Sequence, residues 1–197
     1  MKYLRLLLIA ATSSCLALNS AAALSGDRCE TAAARRQLEQ LYVDDQASRV
    51  AGSNAVDLDS QNQAALSRIV KACGWPGRSV FGKRATMGAF LVLQHADLAM
   101  QRTFLPLVRR AHRDNELPAE TLPLLEDRIL VREGKPQRYG TQVDASGWPL
   151  PVEDPENLDR RRLAVGLTIY AEYWAMARER TGQDPAYIPF WWLLDEH

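Results

Sequence analysis

At 197 residues, with 47% hydrophobic and 24% charged side chains, the chain is long enough for one domain with a genuine core, and it needs neither metal nor extra crosslinks to hold one. Its 24 basic side chains are balanced by 24 acidic ones. Phosphate binding feeds on basic surface, so nucleic acid is excluded as an expected partner, and no polybasic run is present to hold an anionic membrane.

The first 23 residues read as a secretory signal peptide. Lys2 and Arg5 give a short positive start, Leu6 to Leu18 is largely apolar, and Ala21-Ala22-Ala23 supplies a small-residue cleavage pattern. Thr12, Ser13 and Ser14 interrupt the apolar run, which is short for a bilayer span. Thr12 also stands where a lipobox would carry an aliphatic residue before Cys15. Cleavage would remove two basic residues and no acids, leaving 22 basic against 24 acidic side chains. The mature protein is therefore expected to be periplasmic or secreted, without stable membrane insertion. Two cysteines remain, Cys29 and Cys73. In an oxidising compartment an even pair is read first as a disulfide, with two buried free thiols as the alternative. Closing that loop would stabilise the fold by roughly 4 kcal/mol in the chain-entropy model.

The spacing predicts about six helices. From about Cys29 to Val50, Leu38, Leu41 and Tyr42 share a face that continues into Asp45 and Arg49. Either those two close the helix as a salt bridge, or Asp45, Gln46 and Arg49 point into a polar cavity. Ser60 and Gln63 resemble a capping box ahead of Leu66, Ile69, Val70 and Cys73, and Gly74 with Pro76 ends that helix. A third helix, Ala85 to about His95, is apolar almost all round and should be central. Gln94, His95 and Asp97 close it. Phe104, Leu107, Val108 and Ala111 mark the fourth, where Pro106 is tolerable only near a start or kink. Pro118 suits the first turn of a fifth, with Leu122, Leu125 and Ile129 inward and Gly134 as its stop. Asp154-Pro155-Glu156 starts the last, which is expected to run to about Thr181.

Between the fifth and sixth helices lies the one stretch without helical pattern, crowded with polar side chains. Gln137 to Val143 and Trp148 to Val152 read as a β-hairpin over about 137–152. Gly140 marks a bulge or a close approach to the backbone. On the last helix Arg162 shares a face with Leu158, Val165, Ile169 and Tyr173, and a buried arginine needs an anion; Asp45, Asp97 and Asp127 are the candidates. The expected architecture is mainly α: a single helical domain over 24–186 with one hairpin, followed by an aromatic tail over 187–197.

Asp45-Gln46-x-x-Arg49, Gly74-Trp75-Pro76, Gln94-His95-Ala96-Asp97, Asp127-Arg128, Gln137-x-Tyr139-Gly140-Thr141-Gln142, Glu153-Asp154 and Arg162-x-x-x-Gly166-Leu167 occur in that order. Together they resemble a bacterial domain of unknown function, the one numbered 6624, over about Leu38 to Tyr173. The resemblance implies a fold unit and a site; it supplies no reaction.

No glycine-rich phosphate loop, Gly-x-Ser-x-Gly elbow or His-Glu-x-x-His motif is present. His95-x-Asp97 is poor ligand spacing on a helix, so no metal and no cofactor is expected. Two functional classes stay open. In the first, the domain binds a small polar molecule or a protein partner through Asp45, Gln46, Arg49, Gln94, Arg128, Gln137, Tyr139, Gln142 and Arg162, which supply neutral donors, acceptors and guanidinium forks. In the second it is a hydrolase or transferase with His95 as general base and Asp127 or Asp97 as its partner. The same polar residues could equally form an internal network that pins the hairpin to the helices. The aromatic tail either folds back onto the domain or docks a partner.

Overall fold

The computed structural model describes residues 29–51, 55–145 and 147–181, with backbone alone for 48–51, 55–57 and 177–181. The expected signal peptide and the aromatic tail lie outside the described residues. Among the described residues there are eight α-helices: α1 (Thr31–Ala51), α2 (Ala55–Cys73), α3 (Arg78–Phe81), α4 (Lys83–His95), α5 (Leu98–Arg113), α6 (Thr121–Arg132), α7 (Leu158–Ala164) and α8 (Tyr170–Thr181). None is long and apolar enough to cross a membrane.

Helix α4 is the hub, as its all-round apolar pattern predicts. Ala85, Ala89, Phe90, Val92 and Leu93 are buried, and α1, α2, α3, α5 and α6 all pack against it. Leu38 and Leu41 of α1, Leu66, Ile69 and Val70 of α2, Val108 of α5, and Leu122, Leu125 and Ile129 of α6 fill the same core. Where α1 crosses α4, a side chain at Gly88 would stand 2.1 Å from the Leu38 carbonyl oxygen, so only glycine allows the two backbones that close. Cys29 and Cys73 are joined as a disulfide, tying the start of α1 to the end of α2.

Three expectations are corrected. The hairpin does not form: among the described residues there is no strand, only isolated bridges at Gln137–Val152 and Val143–Pro149. Pro149 and Pro151 carry no N–H to give a ladder. The amides of Arg138, Tyr139 and Thr141 are turned instead onto the Asp127 carboxylate. The long last helix is broken into α7 and α8. Gly166, at φ 78°, ends α7 in a Schellman arrangement, with the amides of Gly166 and Leu167 donating to the carbonyls of Leu163 and Arg162. Asp97 does not close α4. It caps α5, accepting from the Met100 amide at 2.7 Å, so α5 begins at Leu98 and carries Pro106 within it.

Candidate functional site

Part of the polar cluster expected to bind a ligand, Gln137, Tyr139, Gln142 and Arg162, is spent on holding the segment 135–154 together with Asp127. Asp127, fully buried on α6, accepts from the amides of Arg138, Tyr139 and Thr141 and from the Thr141 hydroxyl, at 2.7 to 3.2 Å. Burial pushes its carboxyl above the usual carboxylate range against the pull of those donors. Gln137 is also fully buried. Its side-chain oxygen accepts from the Gln142 amide at 2.8 Å, and its nitrogen donates to the carbonyls of Gln142 and Leu150 at 2.9 and 2.7 Å. One glutamine thereby replaces the ladder that the prolines prevent. Gln142 donates in turn to the Leu124 carbonyl and the Thr141 hydroxyl. Burial, and then the Glu126 charge, pushes the Tyr139 phenol up to about 12, so it stays neutral.

Arg162 is buried, as its helix face predicts, but no carboxylate among the described residues pairs with it. Its Nε donates to the Thr168 carbonyl at 2.8 Å and its Nη1 to the Tyr139 carbonyl at 2.5 Å. The guanidinium lies over the rings of Tyr173 and Tyr170, 4.7 and 5.7 Å from their centroids. Carbonyl dipoles and two π-faces stand in for the expected anion. Asp127 and Arg162 are thus both consumed by the 137–141 turn, Asp127 through its amides and Arg162 through a carbonyl.

The remaining residues converge at the end of α4. His95 Nδ1 and Asp45 Oδ1 are 2.7 Å apart, with Asp45 1% exposed and the His95 side chain 26% exposed. Gln46 Nε2 donates to the other Asp45 oxygen at 3.0 Å. Neither Asp97 nor Asp127 is the partner of His95: Asp97 is the cap of α5 and Asp127 the anchor of the turn. His95 faces a cleft of about 480 Å³ with Asp59, Ser60, Gln63, Ala96, Asp97, Leu98 and Arg132 along its walls. Its Nε2 makes no bond to the described protein.

Three carbonyls at the end of α4 accept bonds from side chains. Gln101 Nε2 donates to those of Leu93 and Gln94, Arg128 Nη1 to that of Gln94 and Arg132 Nη1 to that of Ala96. Two guanidinium groups at a helix C-terminus also complement its dipole. His95 therefore sits on a helix end that is held by three side chains of α5 and α6. Gln94 is buried beside it, while the side chain of Arg49 lies outside the described residues. Among the described residues no group of three or more His, Cys, Asp or Glu could hold a metal ion.

Residues 24–184 match the model of a family of unknown function, DUF6624. The chain belongs to this family. No curated protein and no solved structure matches it. For this DUF6624 chain, sequence reasoning placed Asp45 and His95 in separate helices and did not join them, since they are 50 positions apart. It also passed over Arg132 and Gln101. Arg132 is the basic residue in the last turn of α6, which marks it only as a dipole complement. Arg161 was missed as well. It donates to the carbonyls of Arg138, Asp154 and Glu153 and so closes the 137–154 segment of the DUF6624 fold against α7.

Proposed function

We propose that the cleft beside His95 takes a small polar molecule and that His95 acts there as a general base oriented by Asp45, in a hydrolase or transferase. The observation that carries this reading is the 2.7 Å contact of His95 Nδ1 with a buried carboxylate, made by a ring whose other nitrogen bonds to none of the described residues. An ionised carboxylate only accepts, so Nδ1 carries the hydrogen and the neutral ring offers its Nε2 lone pair outward. A base held in one tautomer by a carboxylate is the arrangement that proton abstraction needs. His95 would take the proton of a water or substrate hydroxyl as that oxygen attacks, and return it to the departing group.

A second reading, binding without chemistry, draws on a different observation. His95 bonds to no serine, threonine or cysteine among the described residues, and Cys29 and Cys73 are committed to each other. Export belongs to the same proposal, since a disulfide is in keeping with an oxidising compartment. Docking of a protein partner through 187–197 remains a separate proposal, on residues outside those described.

The test is turnover of a panel of esters, amides, glycosides and phosphomonoesters by the protein, by His95→Gln and by Asp45→Asn. Loss of roughly 10²- to 10⁴-fold in His95→Gln, with folding intact, is the expected result. Full turnover in His95→Gln would overturn the general-base reading. Saturable binding of one of the panel without any turnover would leave the second reading in its place.

A further inference from the structure

Resting on the cleft being the functional site, we propose that Arg132 anchors its ligand and that the ligand carries a single carboxylate. Arg132 lines the same cleft as His95, and its Nη1 donates at 2.6 Å to the carbonyl of Ala96, the next residue in the chain. That bond fixes the guanidinium beside the imidazole. It uses one nitrogen and leaves the Nε–Nη2 edge, which is the edge that takes a carboxylate through two parallel bonds.

No acid of the described protein occupies that edge. The nearest acid in the chain, Glu133, is fully engaged: Oε1 takes Arg102 at 2.6 Å and Oε2 takes Lys135 at 2.7 Å. Asp97, on the cleft wall, has Oδ1 turned to the Met100 amide and makes no ion pair with Arg132. An exposed arginine held by its backbone bond, with the adjacent carboxylate neutralised by other cations, is prepared for an anion from outside.

A further charge on the wall selects among anions. Asp97 puts negative charge on the same cleft, and a phosphate monoester, with nearly two charges, is repelled by it more than a monocarboxylate. The second polar group of such a ligand would reach His95, with Gln63 and Ser60 as neutral neighbours.

The experiment is a nuclear magnetic resonance titration of the disulfide-bonded protein with N-acetylglycine, its uncharged amide and inorganic phosphate, following the Arg132 Nε–H and His95 ring signals. N-acetylglycine should shift both signals saturably, phosphate more weakly and the amide not at all. Arg132→Lys keeps the charge and loses the two-bond edge, and should weaken binding about tenfold or more. Arg110→Gln, which removes an exposed guanidinium of α5 paired with Asp114, should bind as before. Equal binding of the amide, or unchanged affinity in Arg132→Lys, would overturn the proposal, and tighter binding of phosphate would overturn the choice of carboxylate. Arg132→Gln, with its melting temperature measured alongside, separates loss of the ligand contact from loss of the α4 end. A normal carboxylate response combined with unimpaired turnover in His95→Gln would remove the general base and keep the anchor.

Discussion

The carboxylate of Asp45, 1% exposed, holds the imidazole of His95 at 2.7 Å across 50 residues of chain and joins the middle of α1 to the last residue of α4. Because the carboxylate accepts and does not donate, it selects the tautomer with hydrogen on Nδ1. Asp45→Asn replaces one acceptor oxygen with a donor and frees the ring to take the opposite tautomer. Turnover should fall by roughly 10²- to 10⁴-fold, and the ring nitrogen resonances of His95 should exchange their assignments. An unchanged ring spectrum would mean that Asp45 does not set the tautomer.

Asp127 and the 137–141 turn form the second coupled unit. In Asp127→Asn one oxygen acceptor becomes an NH2 that faces amide donors, so buried amides of Arg138, Tyr139 or Thr141 lose a partner. Each costs about 1–3 kcal/mol, and a total loss of about 3 kcal/mol or more is expected in denaturant unfolding. Faster hydrogen exchange confined to the amides of 138, 139 and 141 would locate the loss. Turnover at the His95 cleft should persist wherever the variant stays folded.

Gly140 supports the same turn from outside. It sits at φ 69°, and a side chain there would meet the Tyr170 ring at 2.7 Å, while Gly74, at φ 72°, has nothing within 4 Å. The two glycines separate backbone strain from crowding. Gly74→Ala should cost about 1 kcal/mol for the left-handed backbone, and Gly140→Ala about 2 kcal/mol or more, because Tyr170 must also move off Arg162. Equal melting temperatures for the two variants would show that Tyr170 yields freely.

Acid stability should carry two opposite contributions. The Ser79 hydroxyl and amide donate to Glu116 and hold its carboxyl below the ordinary value of 4.5. A folded-state value below the unfolded one gives stability that is complete above about pH 4.5 and is lost as pH falls through the folded value. Burial raises Asp127 above its ordinary 3.8, so its contribution has the other sign: it favours folding at acid pH and is lost as pH rises through the raised value. Melting temperature against pH for wild type and Glu116→Gln should show a gap above about pH 5 that narrows toward pH 3. A gap independent of pH would remove the role given to Glu116.

The helices were legible because their signals are local. The apolar stripe of α2, the all-apolar pattern of α4 and the proline and glycine stops reflect what a few neighbouring residues can bury or cap. Arg162 was legible as a buried cation from Leu158, one turn before it, although Val165, Ile169 and Tyr173 of the expected face lie beyond the end of α7. Its partners were not, because carbonyls and tyrosine rings leave no mark at any fixed spacing. The hairpin failed for a reason present in the residues but quantitative: alternation over 137–143 favoured a strand, whereas Pro149, Pro151 and the carboxylate of Asp127 took away the amides that pairing requires.

The sequence by itself determined a mainly helical chain, a membership in DUF6624 visible in an ordered string of motifs, and a cysteine pair able to join. Those are matters of period, composition and order along the chain. Only the tertiary structure decided that Asp127, Gln137 and Arg162 bond to the backbone between Arg138 and Thr168 and that Asp45, His95 and Arg132 meet at one helix end. Hydrogen-bond partners 50 and 36 residues apart are chosen by how helices pack, and packing is a property of the whole core.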